Sequence, residues 1–263
     1  MRFGSQYAFE HMILLAPPSS AEAFSVGSLK VDASQHRFFL NEAQRLRGRV
    51  YLQDGAVDDK QLSRDGRLVY AHDEHSWHLL LLDRQATTSA CVRYIPHQDR
   101  VSFHDLGVAS SALAYSPTWG SRLRCAIQAE RAKARLRGMG YAEVGGLALA
   151  EEMRYTTAAL LILLNVYGLM KLLGGALAIS TATFRHHSSS ILRKLGGRGL
   201  ISDGVELPSY YDPQYQCEME ILAFDSDHPV PKYVDRIDEC QERLANIPII
   251  CAPSLVPDCV MSS

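Results

Sequence analysis

The hydrophobic positions along this chain change period from one segment to the next. Over 35–53, apolar residues recur at helical spacing, which predicts an amphipathic helix with arginines on its other faces. The residues on the apolar face are Phe39, Ala43, Leu46 and Val50. Two apolar runs follow at 77–83 and 89–95, joined by a short polar break, and this pattern predicts a β-hairpin.

The remaining runs predict strands and helices in alternation. The further predicted strands are 29–31, 143–150, 176–184 and 216–224, and the further helices are 121–137, 155–173, 188–195 and 233–245. A hairpin ahead of strand–helix–strand units predicts an α/β fold with a mixed sheet. With 263 residues, the chain fits one main domain at 28–226, an N-terminal extension at 1–27 and a C-terminal helix and tail at 227–263.

One stretch, 155–180, is almost uncharged and could be mistaken for a membrane span. It holds a single cation, Lys171, after about 16 residues, fewer than the roughly 20 that a spanning helix needs. Gly174 and Gly175 then interrupt it. We interpret it as a buried helix that leads into a buried strand. The first residues also lack the pattern of a signal peptide, so we expect a cytoplasmic protein without a transmembrane segment.

Charge and cysteine content exclude several classes of partner. The 27 Lys and Arg nearly balance the 29 Asp and Glu, so no overall field favours nucleic acid or an anionic membrane. The six cysteines are scattered without a C-x-x-C pair, which is typical of reduced thiols rather than a disulfide framework or a zinc site. We expect no metal, because His186 and His187 are adjacent and no further ligand follows at suitable spacing.

The segment 153–159 reads Met-Arg-Tyr-Thr-Thr-Ala-Ala and lies between a predicted strand and a predicted helix. Small residues, a flanking arginine and unpaired N–H groups at a helix start make an anion site. With its surroundings from 143 to 199, the segment resembles the core of the GNAT superfamily, within it the acyl-homoserine-lactone synthases and long-chain N-acyl amino acid synthases. The alternative is an ordinary helix cap by Thr156 or Thr157.

The resemblance extends over about 29–225 and implies a GNAT-like fold whose central sheet splays to admit a pantetheine arm. The residues implied to hold the donor phosphates are Arg154, Tyr155, Thr156, Thr157, Ala158 and Ala159. Thr157 and Ala159 replace the glycine positions of the acetyl-CoA loop, and Leu192 and Arg185 replace its usual Tyr and Asn. These departures favour an acyl carrier protein over free coenzyme A. Acyl carrier proteins are acidic, so docking is expected on the basic helix from Arg122 to Arg137 or at Arg193, Lys194 and Arg198.

Three N-terminal segments also resemble the synthases: 45–51, rich in arginine, 73–79, acidic with Ser and His, and 91–94, with a strand arginine. The residues implied to bind substrate are Arg49, Asp73, Ser76 and Arg93. A guanidinium grips a carboxylate with two parallel hydrogen bonds, so Arg49 and Arg93 could hold a carboxylate of the acceptor. The alternative for each is an internal salt bridge to Asp73 or another acid.

Glu143 resembles the glutamate that serves the synthases as base on the central strand, although Gly146 replaces the arginine that partners it there. An ordinary strand-end glutamate is the alternative. The N–H groups of Leu147 and Ala148 would bind the oxyanion if the strand has the family's bulge. The resemblance thus implies an N-acyltransferase without a permanent cofactor. It would move an acyl group, expected to be long-chain, from the phosphopantetheine thioester of acyl carrier protein or acyl-CoA to the amine of an amino acid or a similar small acceptor. An acetyl-CoA acetyltransferase and an inert binding module remain alternatives.

Overall fold

The computed structural model describes residues 11–18 and 29–253. Within these ranges, five α-helices pack on a mixed sheet. The helices are α1 (Ala33–Gln53), α2 (Gly120–Leu136), α3 (Ala158–Leu172), α4 (Ser188–Lys194) and α5 (Val234–Leu244). The predicted mixed α/β fold class is confirmed.

The sheet has ten strands in the described part of the chain. They are β1 (His11–Ala16), β2 (Leu29–Val31), β3 (Trp77–Leu82), β4 (Thr88–His97), β5 (Gly140–Leu149), β6 (Ala176–Thr183), β7 (Arg198–Gly199), β10 (Tyr210–Asp212), β11 (Cys217–Asp225) and β12 (Ile249–Cys251), while β8 (Ile201–Ser202) and β9 (Val205–Glu206) form a separate hairpin. The strand order is β10-β11-β6-β5-β4-β3-β1-β12-β2, and β7 pairs with β11. All five predicted helices and all predicted strands occur, with ends shifted by a few residues.

The terminal segments form one side of this sheet. β1 pairs antiparallel with β3 and parallel with β12, and β12 pairs parallel with β2. α5 packs against α3, where Gly168 comes so close to Cys240 that a Cβ would lie 3.1 Å from that side chain. The described segments outside the predicted main domain, β1 before it and α5 with β12 after it, thus pack with that domain in one sheet and core. The boundary at residue 27 lies outside the described residues, and the division into three parts stays a prediction.

The two faces of the sheet carry different helices. α3, α4 and α5 share a core with the strands on one face, which includes Ile162, Leu192 and Ile237. On the other face, α1 packs with Leu46 in one cluster and α2 packs with Leu123 in a second. The near-uncharged segment is thus a buried helix and strand, as predicted. No helix among the described residues is both long and apolar enough to cross a membrane.

α1 begins where Asp32 caps it, its carboxylate accepting a hydrogen bond from the Gln35 N–H at 3.0 Å. The helix ends at Asp54, and Gly55 follows with φ +69°. The buried face includes the predicted apolar positions and one guanidinium, that of Arg47. A long helix fixed at both ends therefore holds a charged side chain against the sheet.

Candidate functional site

β5 departs from regular pairing at two places. It pairs with β6 only from Gly140–Ala176 to Glu143–Ile179, beyond which β5 stays with β4 and β6 stays with β11, so the two strands diverge. Against β4, the pairing moves two residues on β4 but three on β5, from Gly145 to Ala148, which is a β-bulge. The sheet therefore opens beside a bulge, and the predicted splay and strand bulge are both present.

A buried cluster of charges lies on the α1 face of the sheet next to the bulge. Asp73 is 1% exposed and accepts hydrogen bonds from two arginines: from Arg47 at 2.9 and 2.5 Å, and from Arg93 at 2.8 Å. The side-chain N–H of Gln44 and the backbone N–H of Tyr70 donate to the same carboxylate, each at 3.0 Å. Both carboxylate oxygens of Asp73 therefore accept hydrogen bonds from donors of this chain.

The cluster holds two guanidiniums for one carboxylate and therefore has an excess of positive charge. The Tyr70 ring lies below both, 5.0 Å from Arg47 and 4.8 Å from Arg93. Burial alone would raise the pKa of Asp73, but the hydrogen bonds and charge of Arg47 and the charge of Arg93 outweigh it and hold that pKa well below its usual range. The buried Nε atoms of both arginines have no hydrogen-bond partner among the described residues. The cluster can therefore accept a further anion.

Two polar neighbours of the cluster have structural contacts. The Ser76 hydroxyl donates to the His72 carbonyl. The Nε2–H of His78 donates to the Asp73 carbonyl at 2.8 Å, and burial lowers the pKa of His78 to about 3, so this imidazole is neutral. The predicted Ser76 thus lies beside Asp73, to whose carbonyl its N–H donates at 3.3 Å, and its hydroxyl is already bonded.

Arg49, the fourth predicted substrate residue, is exposed on α1 and is not brought to this cluster. Arg47 occupies the place that we expected for Arg49. The sequence held a signal for it, because Arg47 follows Ala43 by four residues and precedes Val50 by three, on the apolar face of the helix. A binding role for Arg49 stays a prediction.

Arg47 also lies over the bulge. Gly146 has φ +65°, and a Cβ built on it would come 3.3 Å from Cδ and Nη1 of Arg47. A glycine permits both the left-handed backbone and this close approach. The guanidinium from α1 thus stands beside the position where the resemblance would place an arginine on β5.

The bulge residues of β5 before Ala148 are half-buried. Leu147 is half-buried and its carbonyl accepts a hydrogen bond from the Tyr51 hydroxyl at 3.4 Å, while Ala148 is buried and paired with Cys91. Burial raises the pKa of the Cys91 thiol to about 11, which keeps it protonated. Of the two predicted oxyanion residues, Leu147 is therefore the accessible one.

Glu143 lies at the vertex of the splay, on the same face of the sheet as Asp73, and it is 7% exposed. Oε1 accepts hydrogen bonds from His97 Nε2 and from the Gly107 N–H, both at 2.8 Å, and Oε2 accepts one from the Val108 N–H at 3.1 Å. A turn at Gly107–Ser110 therefore holds the carboxylate while His97 contacts it from the end of β4. Neither His97 nor this turn was identified from the sequence, where no spacing links them to Glu143.

The turn before α3 contains the predicted phosphate residues. Tyr155 has φ +60° and is 89% exposed, and Thr156 accepts a hydrogen bond from the Ala158 N–H at 3.1 Å. Thr157 precedes the helix without a side-chain cap, and Ala159 is half-buried in the first turn. Thr156 therefore has the helix-capping role that was the alternative to phosphate binding. Its hydroxyl bonds to the Ala158 N–H, and the later N–H groups at the start of the helix remain for other partners.

Arg154 is not free to meet an anion in this structure. It pairs with the Asp54 carboxylate, Nη1 to Oδ1 at 3.0 Å and Nη2 to Oδ2 at 3.2 Å. Arg185, from beyond β6, donates to the Asp54 carbonyl and to the Gln216 carbonyl. Two arginines thus converge on the residue that follows α1. In the described ranges, no group of three or more His, Cys, Asp or Glu side chains is arranged to hold a metal ion.

Comparison with known proteins gives a likeness of fold. No protein-family model matches the sequence, and no curated protein matches it. Among solved structures, the chain is similar to the CoA-dependent acyl-homoserine lactone synthase BjaI with SAM and isopentyl-CoA, with a TM-score of 0.55 and 14% identity over 93% of this chain and 94% of that one.

Two further solved structures are similar. The CoA-dependent acyl-homoserine lactone synthase MesI has a TM-score of 0.51 and 14% identity over 89% of this chain and 95% of that one. FeeM, an N-acyl amino acid synthase from uncultured soil microbes, has a TM-score of 0.47 and 13% identity over 76% and 89%. The predicted GNAT-like fold is confirmed: this chain has the fold of acyl-homoserine lactone synthases.

Proposed function

We propose that the protein is an N-acyltransferase, which moves an acyl group from a phosphopantetheine thioester to the amine of a small carboxylate-bearing acceptor. One observation carries the proposal: the sheet opens at a bulge that adjoins a buried arginine pair with spare positive charge. The opening in the sheet gives the thioester room to enter. The oxyanion that develops on the thioester needs backbone N–H groups, and an amino acid acceptor needs a cation for its carboxylate.

The acceptor site is proposed at Arg47, Asp73 and Arg93. Asp73 neutralises one guanidinium and fixes both, while the buried Nε groups of the two arginines have no hydrogen-bond partner among the described residues. A bound carboxylate would complete the charge balance of the cluster. Arg93 is the more accessible of the two arginines, with 11% of its side chain exposed against 1% for Arg47. Arg93 is therefore the proposed contact with the acceptor, and Arg47 positions it through Asp73.

The transfer step needs a base and an oxyanion site. The acceptor nitrogen attacks the thioester carbon, the carbonyl oxygen becomes an oxyanion near the Leu147 and Ala148 N–H groups, and the carbon–sulfur bond then breaks to release the thiolate. Glu143 and His97 are proposed to take the amine proton as a hydrogen-bonded pair, directly or through a water. The pair lies three residues before the bulge residue Gly146 on β5, which is about 10 Å of strand, so a water bridge is the arrangement that we favour.

The donor site is proposed at the turn 154–159 together with the start of α3. For Arg154 to meet a donor phosphate, it must exchange Asp54 for that phosphate. Much of the basic surface proposed for carrier-protein docking has internal partners: Arg137 pairs with Asp225, Arg193 with Glu220 and Arg198 with Glu130. The unpaired charge on α2 is at its outer positions, such as Lys133 and Arg135, which are exposed. Docking of an acidic acyl carrier protein is proposed there.

The experiment that tests the reaction compares lipid extracts by mass spectrometry. Cells that express the wild type are expected to contain new N-acylated amino acids. Glu143→Gln is expected to lower their formation by about 10²- to 10⁴-fold, the usual range for a lost general base. Glu218→Gln, which changes an exposed glutamate on β11, is the matched control and should leave product unchanged.

Equal product from wild type and Glu143→Gln would remove Glu143 from the mechanism. If folded wild type makes no product when an acyl carrier protein or acyl-CoA is supplied, the inert binding module becomes the better interpretation. Donor binding is tested separately by the melting temperature, which coenzyme A or a carrier protein should raise. Arg154→Glu should abolish that shift, and Asp54→Asn should enlarge it because it frees Arg154.

A further inference from the structure

A polar cavity of about 320 Å³ lies beside α2, away from the arginine cluster and the bulge. Its polar lining comes from the end of β4, the outer side of α2 and the start of β5: Gln98, Asp99, Gln128, Arg131, Arg135 and Tyr141. This volume is at the lower end of the range typical of ligand pockets, about 300–1,000 Å³. It suits a small molecule better than a long acyl chain.

Tyr141 gives this cavity the character of an unfilled binding site. Its side chain is 7% exposed, and its hydroxyl has no hydrogen-bond partner among the described residues. A buried hydroxyl without a partner costs free energy, so such groups usually have a ligand or a water. Arg131, Glu130 and Glu143 are its charged neighbours, and Arg131 lines the cavity. Tyr141 thus belongs to the lining of the cavity beside Arg131.

The charges of the lining select the ligand. Arg131 and Arg135 are four residues apart on α2 and so lie on one side of the helix. Arg131 donates to the Asp99 carbonyl at 2.9 Å, which ties its side chain to another residue of the lining. Asp99 supplies the one carboxylate of the lining, and Glu130 is engaged by Arg198 at 3.0 and 2.5 Å. Two guanidiniums and one carboxylate leave one net positive charge, which matches a monoanion better than a phosphate dianion.

The cavity is separate from the proposed transfer site but is linked to it through side-chain contacts. Gly146 stands five residues after Tyr141 on β5, so the bulge lies about 17 Å away at the rise of a strand. The Tyr141 ring contacts His97, with centroids 6.3 Å apart, and His97 is the partner of Glu143. Only the Tyr141 side chain would thus separate a molecule bound at its hydroxyl from the His97–Glu143 pair.

We propose that this cavity binds a small organic carboxylate, with Arg131 and Arg135 on the carboxylate and Tyr141 donating to it or to a second polar group. The inference does not rest on the proposed transfer activity, because it concerns binding at a different place. Gln98 and Gln128 provide neutral donors and acceptors for a hydroxyl or amine elsewhere on the ligand.

The test measures saturable binding of small anions to the full chain by melting temperature and by calorimetry at constant ionic strength. The probes are succinate, L-glutamate and L-malate as carboxylates, inorganic phosphate as the dianion and chloride as the reference. At least one carboxylate is expected to bind with a saturable shift in melting temperature. Arg131→Gln with Arg135→Gln should weaken it about tenfold or more, since each charge-assisted pair is lost.

Two variants separate a built site from general charge attraction. Tyr141→Phe removes only an unpartnered hydroxyl, so the protein should keep its melting temperature and lose affinity for the carboxylate. Arg122→Gln with Arg124→Gln removes the same charge from α2 at residues that contact Trp119 and Phe103 rather than the cavity. That variant should bind as the wild type does.

Three results would overturn the proposal. The first is no saturable shift with any carboxylate up to about 10 mM, a concentration that fills about nine-tenths of a site with a Kd of about 1 mM. The second is equal weakening by the Arg122 and Arg124 control, and the third is tighter binding of phosphate than of every carboxylate. Nuclear magnetic resonance of labelled histidine gives a second measure. The His97 signals should move on carboxylate binding in the wild type and stay in place in Tyr141→Phe, whether or not the protein transfers acyl groups.

Discussion

Asp73 and Glu143 are two buried carboxylates on the same face of the same sheet, yet they are held in opposite ways. Asp73 meets two guanidiniums, and Glu143 meets one imidazole and two backbone N–H groups. The first arrangement fixes a charge permanently, because removing it would leave like charges side by side. The second holds a carboxylate next to a group that can exchange protons. The contrast supports the proposal that Asp73 positions the arginines and that Glu143 with His97 takes the proton.

The largest expected effect is on stability at Asp73. Asp73→Ala should lower the free energy of unfolding by about 3–5 kcal/mol, because it leaves Arg47 and Arg93 buried without their counter-ion. Denaturant unfolding measures the loss. Asp65 is the matched control, since it also pairs with two arginines, Arg45 and Arg67, but at the surface. Asp65→Ala should have a far smaller effect, and equal losses would contradict the importance of burial.

The second prediction concerns acid. Because the folded pKa of Asp73 is depressed, its contribution is fully present above the unfolded pKa near 4 and is lost as pH falls below it. A single carboxyl changes the stability by at most about 1.4 kcal/mol per pH unit. Unfolding free energies from pH 5 to pH 2.5 should therefore fall more steeply for the wild type than for Asp73→Asn with Arg93→Gln. Parallel curves would mean that other carboxyls dominate.

A smaller loss of stability is expected at Glu143. Both of its oxygens accept hydrogen bonds, so Glu143→Gln puts an NH2 group where an acceptor stood and leaves at least one N–H of the turn unsatisfied. The expected cost is about 1–3 kcal/mol. The same measurement on Glu218→Gln supplies the baseline. Any activity comparison has to be made per folded molecule, and a cost above that of Asp73→Ala would reverse the contrast.

The smallest expected effect tests how firmly Asp73 holds Arg47. Gly146→Ala must accept φ +65° and a contact 3.3 Å from Arg47, whereas Gly55→Ala must accept φ +69° with nothing within 4 Å. The backbone cost is shared, so the difference reports only the contact. We expect Gly146→Ala to cost about 1 kcal/mol more, as for mild overpacking. Equal costs would show that Arg47 moves aside freely.

The sequence predicted the elements whose periodicity is local. α1, the β3–β4 hairpin, α3 and β6 have strong helical or apolar patterns, so their existence followed from short windows. β1 and β12 were missed because a short apolar run has no period of its own, and a run such as 12–16 becomes a strand only through partners far along the chain.

The candidate site likewise contains residues that the sequence indicated and residues that it did not. Asp73, Arg93 and Glu143 were chosen by resemblance, and the structure brings the first two together next to the bulge. Arg47 was not identified from the sequence, although helix phase pointed to it, and a role for the exposed Arg49 stays a prediction. The partners of Glu143 could not be found, because a backbone N–H has no residue type and the turn at Gly107–Ser110 meets β5 only in three dimensions.

The position of β12 has a consequence for how the chain acquires its fold during synthesis. β12 is inserted between β1 and β2, yet it is made more than two hundred residues after both. Domains form from the N-terminus as the chain emerges, and pairings between distant segments are slow because long loops must close first. Until α5 and β12 arrive, β1 and β2 present open edges that could pair with another chain. We therefore expect this protein to depend on chaperones while it is being translated.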